Sequence, residues 1–173
     1  MRQGLVIVNT GNGKGKSTAA FGTLFRAWGR GMRVGVIQFI KAETGNWGEI
    51  RAARQLNIDW HAMGDGFTWE SKDIDKSIEK IRRAWTFAQE QIVNGKFDLV
   101  ILDEMTYAFH DGLLDVNEVV AWLKEHKPSE LHIIITGRDA PPELIDYADM
   151  VTEMHEIKHP YTRGIKAQPG IEF

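Results

Sequence analysis

Short apolar runs that alternate with longer amphipathic stretches constrain the fold of this chain more than any other feature. Four runs have the length and the predominantly apolar composition of strands buried on both faces, and they are LVIV (5–8), VGVIQFI (34–40), DLVILD (98–103) and LHIIITG (131–137). Two weaker, alternating segments at 57–63 and 149–154 are further strand candidates. This alternation predicts an α/β fold with a mostly parallel central sheet of about six strands and helices on both faces.

Helical periodicity fills the intervals between the strands. Apolar side chains three and four residues apart predict a first helix that stops at 29–31, a long helix over 73–93, a third around 115–126 and a short one near 141–147. The 173 residues contain no repeat, low-complexity segment or linker, so we expect a single domain over 1–173. Ligands of parallel sheets bind beyond the carboxyl ends of the strands, so the polar residues at those ends are the functional candidates.

Composition excludes several classes of protein. The net charge of −3 offers no strong field for nucleic acid or an anionic membrane. The chain has no cysteine, which excludes disulfides, thiolate metal sites and a cysteine nucleophile. No apolar run reaches the ~18 residues of a membrane span, and the start of the chain does not have the pattern of a signal peptide. We therefore expect a soluble, cytoplasmic protein.

The segment NTGNGKGKST, residues 9–18, follows the first predicted strand and opens the first predicted helix. Lys16 fits the phosphate-loop pattern G-x-x-x-x-G-K-[ST], because Gly15 precedes it and Ser17 follows it. Lys14 does not fit, because a glycine follows it. Thr10 stands where the pattern has its first glycine.

Each part of this loop has a physical use in phosphate binding. Gly11, Gly13 and Gly15 allow backbone N–H groups to turn inward without side-chain clashes, and the following helix adds its positive end. Lys16 supplies a cation and Ser17 a hydroxyl for Mg²⁺. A glycine-rich turn that binds nothing is the alternative, and the position of the loop between a strand and a helix favours nucleotide binding.

Charged residues follow three other predicted strands. VILDE, residues 100–104, ends a strand with Asp103 in the position of a Walker B aspartate, which supports Mg²⁺ directly or through water. Glu104 is a candidate for a second Mg²⁺ contact or for orienting water, and a solvated acidic turn is the alternative. Lys41 and Arg138 each follow a strand and could reach a triphosphate or could simply be solvated.

The segment GDGFTWES, residues 64–71, distinguishes this chain from other phosphate-loop proteins. Phe67 and Trp69 are two residues apart, so they face the same way if the segment is extended. Glycines and acidic residues flank them, which favours contact with a flat, apolar ligand over burial in the core, although burial remains the alternative.

Six segments in this order together resemble the ATP:corrinoid adenosyltransferase family, the phosphate-loop class that makes the adenosyl form of vitamin B12-type cofactors. They are TGNGKGKSTAAFGT, VIQFIK, GFTWE, VILDEMTY, IITGR and KHPYTRGIKAQPGIEF. The resemblance runs from the first predicted strand to the last residue. The loop of this family also begins with TGNGKGK, which accounts for Thr10.

The resemblance implies a RecA-like sheet and a homodimer that binds Mg²⁺ and ATP. It implies transfer of the 5′-deoxyadenosyl group to cobalt(I) of a corrinoid, release of triphosphate, and a reduced flavin or flavodoxin as electron donor. Catalytic roles fall on Lys16 and Glu104, metal binding on Ser17, Asp103 and Glu104, and corrinoid binding on Phe67 and Trp69. The expected ATP-binding residues are Thr10, Gly11, Asn12, Gly13, Lys14, Gly15, Lys16, Ser17 and Thr18, with Lys41 and Arg138.

Other readings of the sequence remain open. A small-molecule kinase would use Glu104 or Asp65 as its base and would release ADP. A RecA-like motor would bind nucleic acid, and a corrinoid carrier would bind both ligands without turnover. Many members of the family carry an N-terminal helical extension that helps to cover the corrinoid, whereas the first strand here begins near Gly4, so we expect a different lid.

Overall fold

The computed structural model describes residues 3–42, 47–64, 66, 74–94 and 97–172, with the backbone alone at 74–77 and 111. Its strands are β1 (Val6–Thr10), β2 (Val34–Ala42), β3 (Asp59–Gly64), β4 (Leu99–Asp103), β5 (His132–Thr136) and β6 (Met150–Glu153). They form one sheet in the order β3-β2-β4-β5-β1-β6, and every neighbouring pair is parallel. Each strand overlaps a predicted segment, so the predicted parallel α/β sheet is confirmed.

The α-helices of the described residues are α1 (Lys16–Gly29), α2 (Gly48–Gln55), α3 (Ile74–Val93), α4 (Val116–His126) and α5 (Pro142–Tyr147). Four of them were predicted within a residue or two, and α2 was not. Only Ile50 and Ala53 of α2 are buried, and two apolar positions are too few to mark a helix by periodicity. None of the described helices has both the length and the apolar character that a membrane crossing requires.

Helices cover both faces of the sheet, as the unbroken apolar strands predicted. Successive residues of a strand point to opposite faces. On one face Val100 and Leu102 of β4 pack with residues of α3 and α4. On the other face Leu99 and Ile101 pack with residues of α1. Complete burial of a side chain of this size stabilises the fold by roughly 1.5–3 kcal/mol, so the central strands anchor both layers.

The strand order determines which loops lie next to one another. A single strand, β5, separates β1, which leads into the glycine-rich loop, from β4, which ends at Asp103. All three strands run in the same direction, so their carboxyl ends meet at one edge of the sheet. The loop, the acidic pair at 103–104 and Thr136 at the end of β5 therefore lie side by side.

Candidate active site

The glycine-rich loop ends in a helix whose first turn is open. Gly15 adopts a left-handed conformation with φ of 110° and caps α1 without a side-chain hydrogen bond. Lys16, Ser17 and Thr18 form the first turn, where backbone N–H groups have no acceptor within the helix. These N–H groups and the positive end of the helix dipole constitute an anion-binding element.

Lys16 lies over the loop that precedes it. Its Nζ donates a hydrogen bond of 2.7 Å to the carbonyl oxygen of Gly13. Burial lowers the pKa of the Lys16 ammonium and the charge of Arg138 lowers it further, while the carboxylate of Glu104 opposes both. The lysine predicted from the pattern is thus held beside the loop, with Glu104 and Arg138 as charged neighbours.

Two of the loop glycines are needed because the chain that follows β6 approaches them closely. A Cβ atom at Gly11 would lie 2.5 Å from the carbonyl oxygen of Met154, and one at Gly13 would lie 2.8 Å from the carbonyl carbon of His155. The N–H of Gly13 donates to the oxygen of Met154 over 2.6 Å. We expected this N–H to turn toward a phosphate. In the structure it is instead bonded to the segment that follows β6.

Thr10 fastens the start of the loop. Its side chain is buried, and its hydroxyl accepts a hydrogen bond of 3.0 Å from the N–H of Ala140, in the loop that follows β5. Its carbonyl oxygen accepts a bond of 2.8 Å from the N–H of Met154. The residue that departs from the general phosphate-loop pattern therefore joins β1 to the chain segments on both sides of it.

The remaining loop residues lie nearer to solvent. Asn12, Lys14 and Thr18 are exposed, and Ser17 is half-buried beside Lys16. The ammonium of Lys14 forms an ion pair with Glu172, near the end of the chain. Lys14 is thus a rim residue, which agrees with the pattern that assigned the central position to Lys16.

Asp103 is held within the protein by two side-chain donors. It is 0% exposed. Its Oδ1 accepts 2.7 Å from the hydroxyl of Thr136, and its Oδ2 accepts 2.9 Å from Nε2 of Gln38. The indole N–H of Trp60 donates 2.8 Å to Oε1 of Gln38. Asp103 was predicted at the metal site, and in the structure both of its carboxylate oxygens are bonded to protein groups.

Glu104 carries an oxygen that has no partner. Its backbone is left-handed, with φ of 60°, and its Oε2 is buried without a hydrogen bond. Burial and, after it, the charge of Asp103 together raise the pKa of Glu104 to about 7, against the opposing charge of the Lys41 ammonium. A buried carboxylate oxygen without a partner is costly, and a cation is the group that would satisfy it.

The donor set fits Mg²⁺ carried by a nucleotide. Across the described ranges, no group of three or more histidine, aspartate or glutamate side chains is arranged to hold a metal ion alone. Mg²⁺ is usually bound by one or two carboxylates together with substrate phosphates and water. Glu104 offers such a carboxylate oxygen, and the hydroxyl of Ser17 follows the lysine with which Glu104 interacts.

Lys41 and Arg138, the two cations predicted at strand ends, differ in their surroundings. Lys41 forms an ion pair with Glu49, and its Nζ lies 4.7 Å from the centre of the Trp47 ring. The Nε1 of Trp47 is buried without a hydrogen-bond partner. Arg138 is exposed, and its charge acts on Lys16. The charge of Arg138 therefore acts on the lysine of the loop, whereas the charge of Lys41 acts on Glu104.

Phe67 and Trp69, the predicted corrinoid-binding residues, lie outside the described residues, as does Asp65. The strand that leads to them, β3, ends at Gly64, where a Cβ atom would collide with the carbonyl group of Ile40 in β2. Two cavities of about 690 and 400 Å³ flank β3, and Met63 and Phe87 line both.

Several site residues escaped the sequence reading. Gln38 and Thr136 bind Asp103, Trp60 binds Gln38, and Met154 supports the loop. Gln38 and Thr136 carried a signal, because each is the polar residue within an otherwise apolar run, VIQFI or IIIT. Met154 carried none, because its hydrogen bonds with the loop are made by backbone atoms.

Three features together define a phosphate-loop nucleotide-binding protein. They are the open first turn of α1, the lysine over the loop, and the acidic end of β4, which is separated from β1 by β5 alone. Residues 2–173 match the family model described as "ATP:corrinoid adenosyltransferase BtuR/CobO/CobP". The chain belongs to this family, whose enzymes transfer the adenosyl group of ATP to the cobalt of a corrinoid, and the resemblance predicted from the motifs is confirmed.

Relatives in three bacteria support the assignment. The corrinoid adenosyltransferase of Sinorhizobium sp is 46% identical over 173 residues, which cover 99% of this chain and 81% of that protein. The one from Pseudomonas aeruginosa is 44% identical, with coverage of 99% and 84%. The one from Escherichia coli K12 is 40% identical, with coverage of 99% and 86%.

Proposed function

We propose that this enzyme holds ATP by its triphosphate at residues 11–18, so that the 5′-carbon is presented to cobalt(I) of a corrinoid. The observation that carries the proposal is the open N-terminal turn of α1, with Lys16 beside it and the unpartnered Oε2 of Glu104 near that lysine. Anion-binding groups and an unsatisfied carboxylate oxygen together suit a triphosphate that carries Mg²⁺.

The proposed reaction needs no general base. Cobalt(I) is a strong nucleophile and uses its electron pair to form a bond to C5′, while the C5′–O bond breaks and its pair leaves with triphosphate. Cobalt is thereby oxidised to cobalt(III), and no proton is transferred at the reacting carbon. The protein supplies alignment of C5′ with cobalt and stabilisation of the departing anion.

Lys16 and the first turn of α1 stabilise the charge that accumulates on the triphosphate as the C5′–O bond breaks. Ser17 and Glu104 are the proposed Mg²⁺ ligands, and the carboxylate of Asp103, the residue before Glu104, is fixed by Gln38 and Thr136. Mg²⁺, when bound, neutralises negative charge on the leaving group. Arg138, whose charge reaches Lys16, is proposed to contact the same phosphates.

We propose that the corrinoid lies beyond the end of β3. Phe67 and Trp69, which follow that strand in the sequence, are proposed as an apolar wall against the lower face of the corrin. Such a wall keeps an axial ligand away from cobalt and favours the four-coordinate state, which makes reduction of cobalt(II) easier. Exclusion of water protects the reduced metal.

The assembly and the reductant are also proposals. Edge strand β6 exposes 49% of Met150 and 37% of Val151, and an apolar strand edge of this kind supports a homodimer. A reduced flavin or flavodoxin-type protein is proposed as the electron donor that delivers cobalt(I). We propose that the enzyme works in the cytoplasm, where ATP is available.

An anaerobic assay with ATP, Mg²⁺, cobalamin and a chemical reductant tests the proposal. We expect a light-sensitive carbon–cobalt product, visible by absorbance, and an equal amount of inorganic triphosphate. Lys16→Ala should abolish ATP binding and product formation, whereas Lys124→Ala, on the exposed side of α4, should leave both unchanged. ADP as the product would identify a kinase, and binding of both ligands without product would identify a carrier.

A further inference from the structure

We propose that Thr136 is a positioning residue for the metal site, because its hydroxyl fixes both the Asp103 carboxylate and the backbone of Glu104. The inference rests on the proposed role of Glu104 as an Mg²⁺ ligand. Thr136 is fully buried at the end of β5, so its hydroxyl does not reach the substrates and acts through its two neighbours.

The directions of the two hydrogen bonds are determined by chemistry. The N–H of Glu104 can only donate, and it lies 2.9 Å from Oγ1 of Thr136. That hydroxyl has one proton, and its acceptor is Oδ1 of Asp103 at 2.7 Å. A single atom therefore accepts from one residue of the acidic pair and donates to the other.

This arrangement accounts for the unusual backbone of Glu104. A residue with a Cβ atom rarely adopts φ of 60°, and surrounding bonds must hold it there. The bond to Thr136 draws the N–H of Glu104 over the end of β5. Thr136 thus fixes the backbone from which the Glu104 side chain extends, and Oε2 of that side chain is buried without a hydrogen-bond partner.

The network also reaches the helix that carries the phosphate-binding lysine. Asp103 accepts from Gln38, Gln38 accepts from the indole of Trp60, and the Trp60 ring lies 4.9 Å from the ring of Phe21 in α1. At the other end of this series of contacts, Thr136 links Asp103 to the backbone N–H of Glu104. The two halves of the proposed metal site, Ser17 on α1 and Glu104 after β4, are thus connected through buried and half-buried side chains.

Thr136→Val removes the hydroxyl and keeps the shape of the side chain, while Thr136→Ser keeps the hydroxyl. We expect Mn²⁺ to bind the ATP complex of the valine variant about 10- to 100-fold more weakly, as for other residues that orient metal ligands. The serine variant should bind Mn²⁺ within about threefold of the parent, or roughly 0.65 kcal/mol. ATP affinity without metal should not change, because Lys16 and the loop are intact.

A second readout needs no activity measurement. In the ligand-free parent, the backbone amide of Glu104 should exchange its hydrogen slowly, and in Thr136→Val it should exchange faster. If Thr136→Val does not fold, as judged by circular dichroism, Thr136→Ala replaces it. Alanine ends at Cβ and places no methyl group where the hydroxyl stood, beside Asp103.

Equal Mn²⁺ affinity in the parent and the valine variant would overturn the inference, as would a serine variant as weak as the valine one. Rapid exchange of the Glu104 amide in the parent would overturn it as well. A parent that binds Mn²⁺–ATP tightly, loses it in Thr136→Val and yet forms no carbon–cobalt product would refute the proposed function and support the positioning role.

Discussion

Replacement of Glu104 by glutamine should make the ligand-free protein more stable at neutral pH. Burial and the nearby Asp103 raise the pKa of Glu104 from 4.5 to about 7. Each pH unit between the folded and unfolded pKa values corresponds to about 1.4 kcal/mol, so the ionised carboxylate destabilises the fold by about 3 kcal/mol. Glutamine has the same shape and no charge, and it removes this cost.

The sign of the pH dependence follows from proton binding. Between pH 4.5 and about 7 the folded protein keeps the proton of Glu104, whereas the unfolded chain has lost it. The folded state therefore binds more protons in this window, and the stability of the parent falls as the pH rises. The advantage of Glu104→Gln should be absent below pH 4.5 and should reach its full value above pH 7.

Urea unfolding at pH 4, 6 and 8 measures this difference directly. In a thermal scan near pH 8, about 3 kcal/mol corresponds to an increase in Tm of about 6–12 °C for a chain of this size. Glu130→Gln, at an exposed position, is the matched control and should change nothing. Equal stability of the parent and Glu104→Gln at pH 8 would refute the claim that the Glu104 carboxylate is held at a cost.

The same substitution should have the opposite effect once ligand is present. In the proposed site, Mg²⁺ with ATP would satisfy the unpartnered Oε2 of Glu104, so the parent should gain more stability from Mg²⁺–ATP than the variant does. Greater stability without ligand, together with a smaller gain on ligand binding, is the result expected when a functional residue destabilises the ligand-free fold. Equal gains in both proteins would exclude Glu104 from the metal site.

Three further substitutions test individual contacts. Thr10→Gly, which restores the general phosphate-loop pattern, should lower the free energy of unfolding by about 1 kcal/mol through loss of the bond to Ala140, and unchanged stability in urea would contradict this role. Gly13→Ala forces its Cβ into the backbone after β6, where Met154 lies, so it should lower the free energy of unfolding by about 1–3 kcal/mol and weaken ATP binding. Unchanged stability and unchanged ATP affinity would show that this backbone moves aside freely. Trp69→Ala should keep ATP affinity and should fail mainly when cobalt(II) must be reduced in the site; failure with prereduced cobalt(I) would refute the apolar wall.

The sheet could be predicted because its strands are buried on both faces. LVIL, residues 99–102, has no polar residue to mark an exposed face, and the same holds for the core of β5. Such runs exclude a half-exposed sheet and, between helices, leave few topologies. Helix α2 was not predicted because only two of its residues, Ile50 and Ala53, are buried, which is too few to show a helical period.

The candidate site was only partly predictable, because the pattern points to the residues proposed to face a ligand and not to those that support them. Lys16 and Glu104 could be found from spacing and strand position. Gln38 and Thr136 could be found only by asking why a polar side chain interrupts a buried run. A buried polar group requires a partner, so polar residues near the carboxyl ends of adjacent parallel strands are expected to bond to one another, as these two do through Asp103.

The shift of the first loop glycine by one place follows from the length of β1. Thr10 still belongs to the strand, because it pairs with Glu153 of β6 and its hydroxyl binds Ala140. The turn can therefore begin only at Gly11, which takes φ of 93° and has no room for a Cβ atom beside Met154. A glycine at position 10 would have lost the hydroxyl anchor and gained nothing, since the backbone there is extended. In this chain the first loop glycine therefore stands one place later than in the general pattern, because Thr10 is still paired with the edge strand.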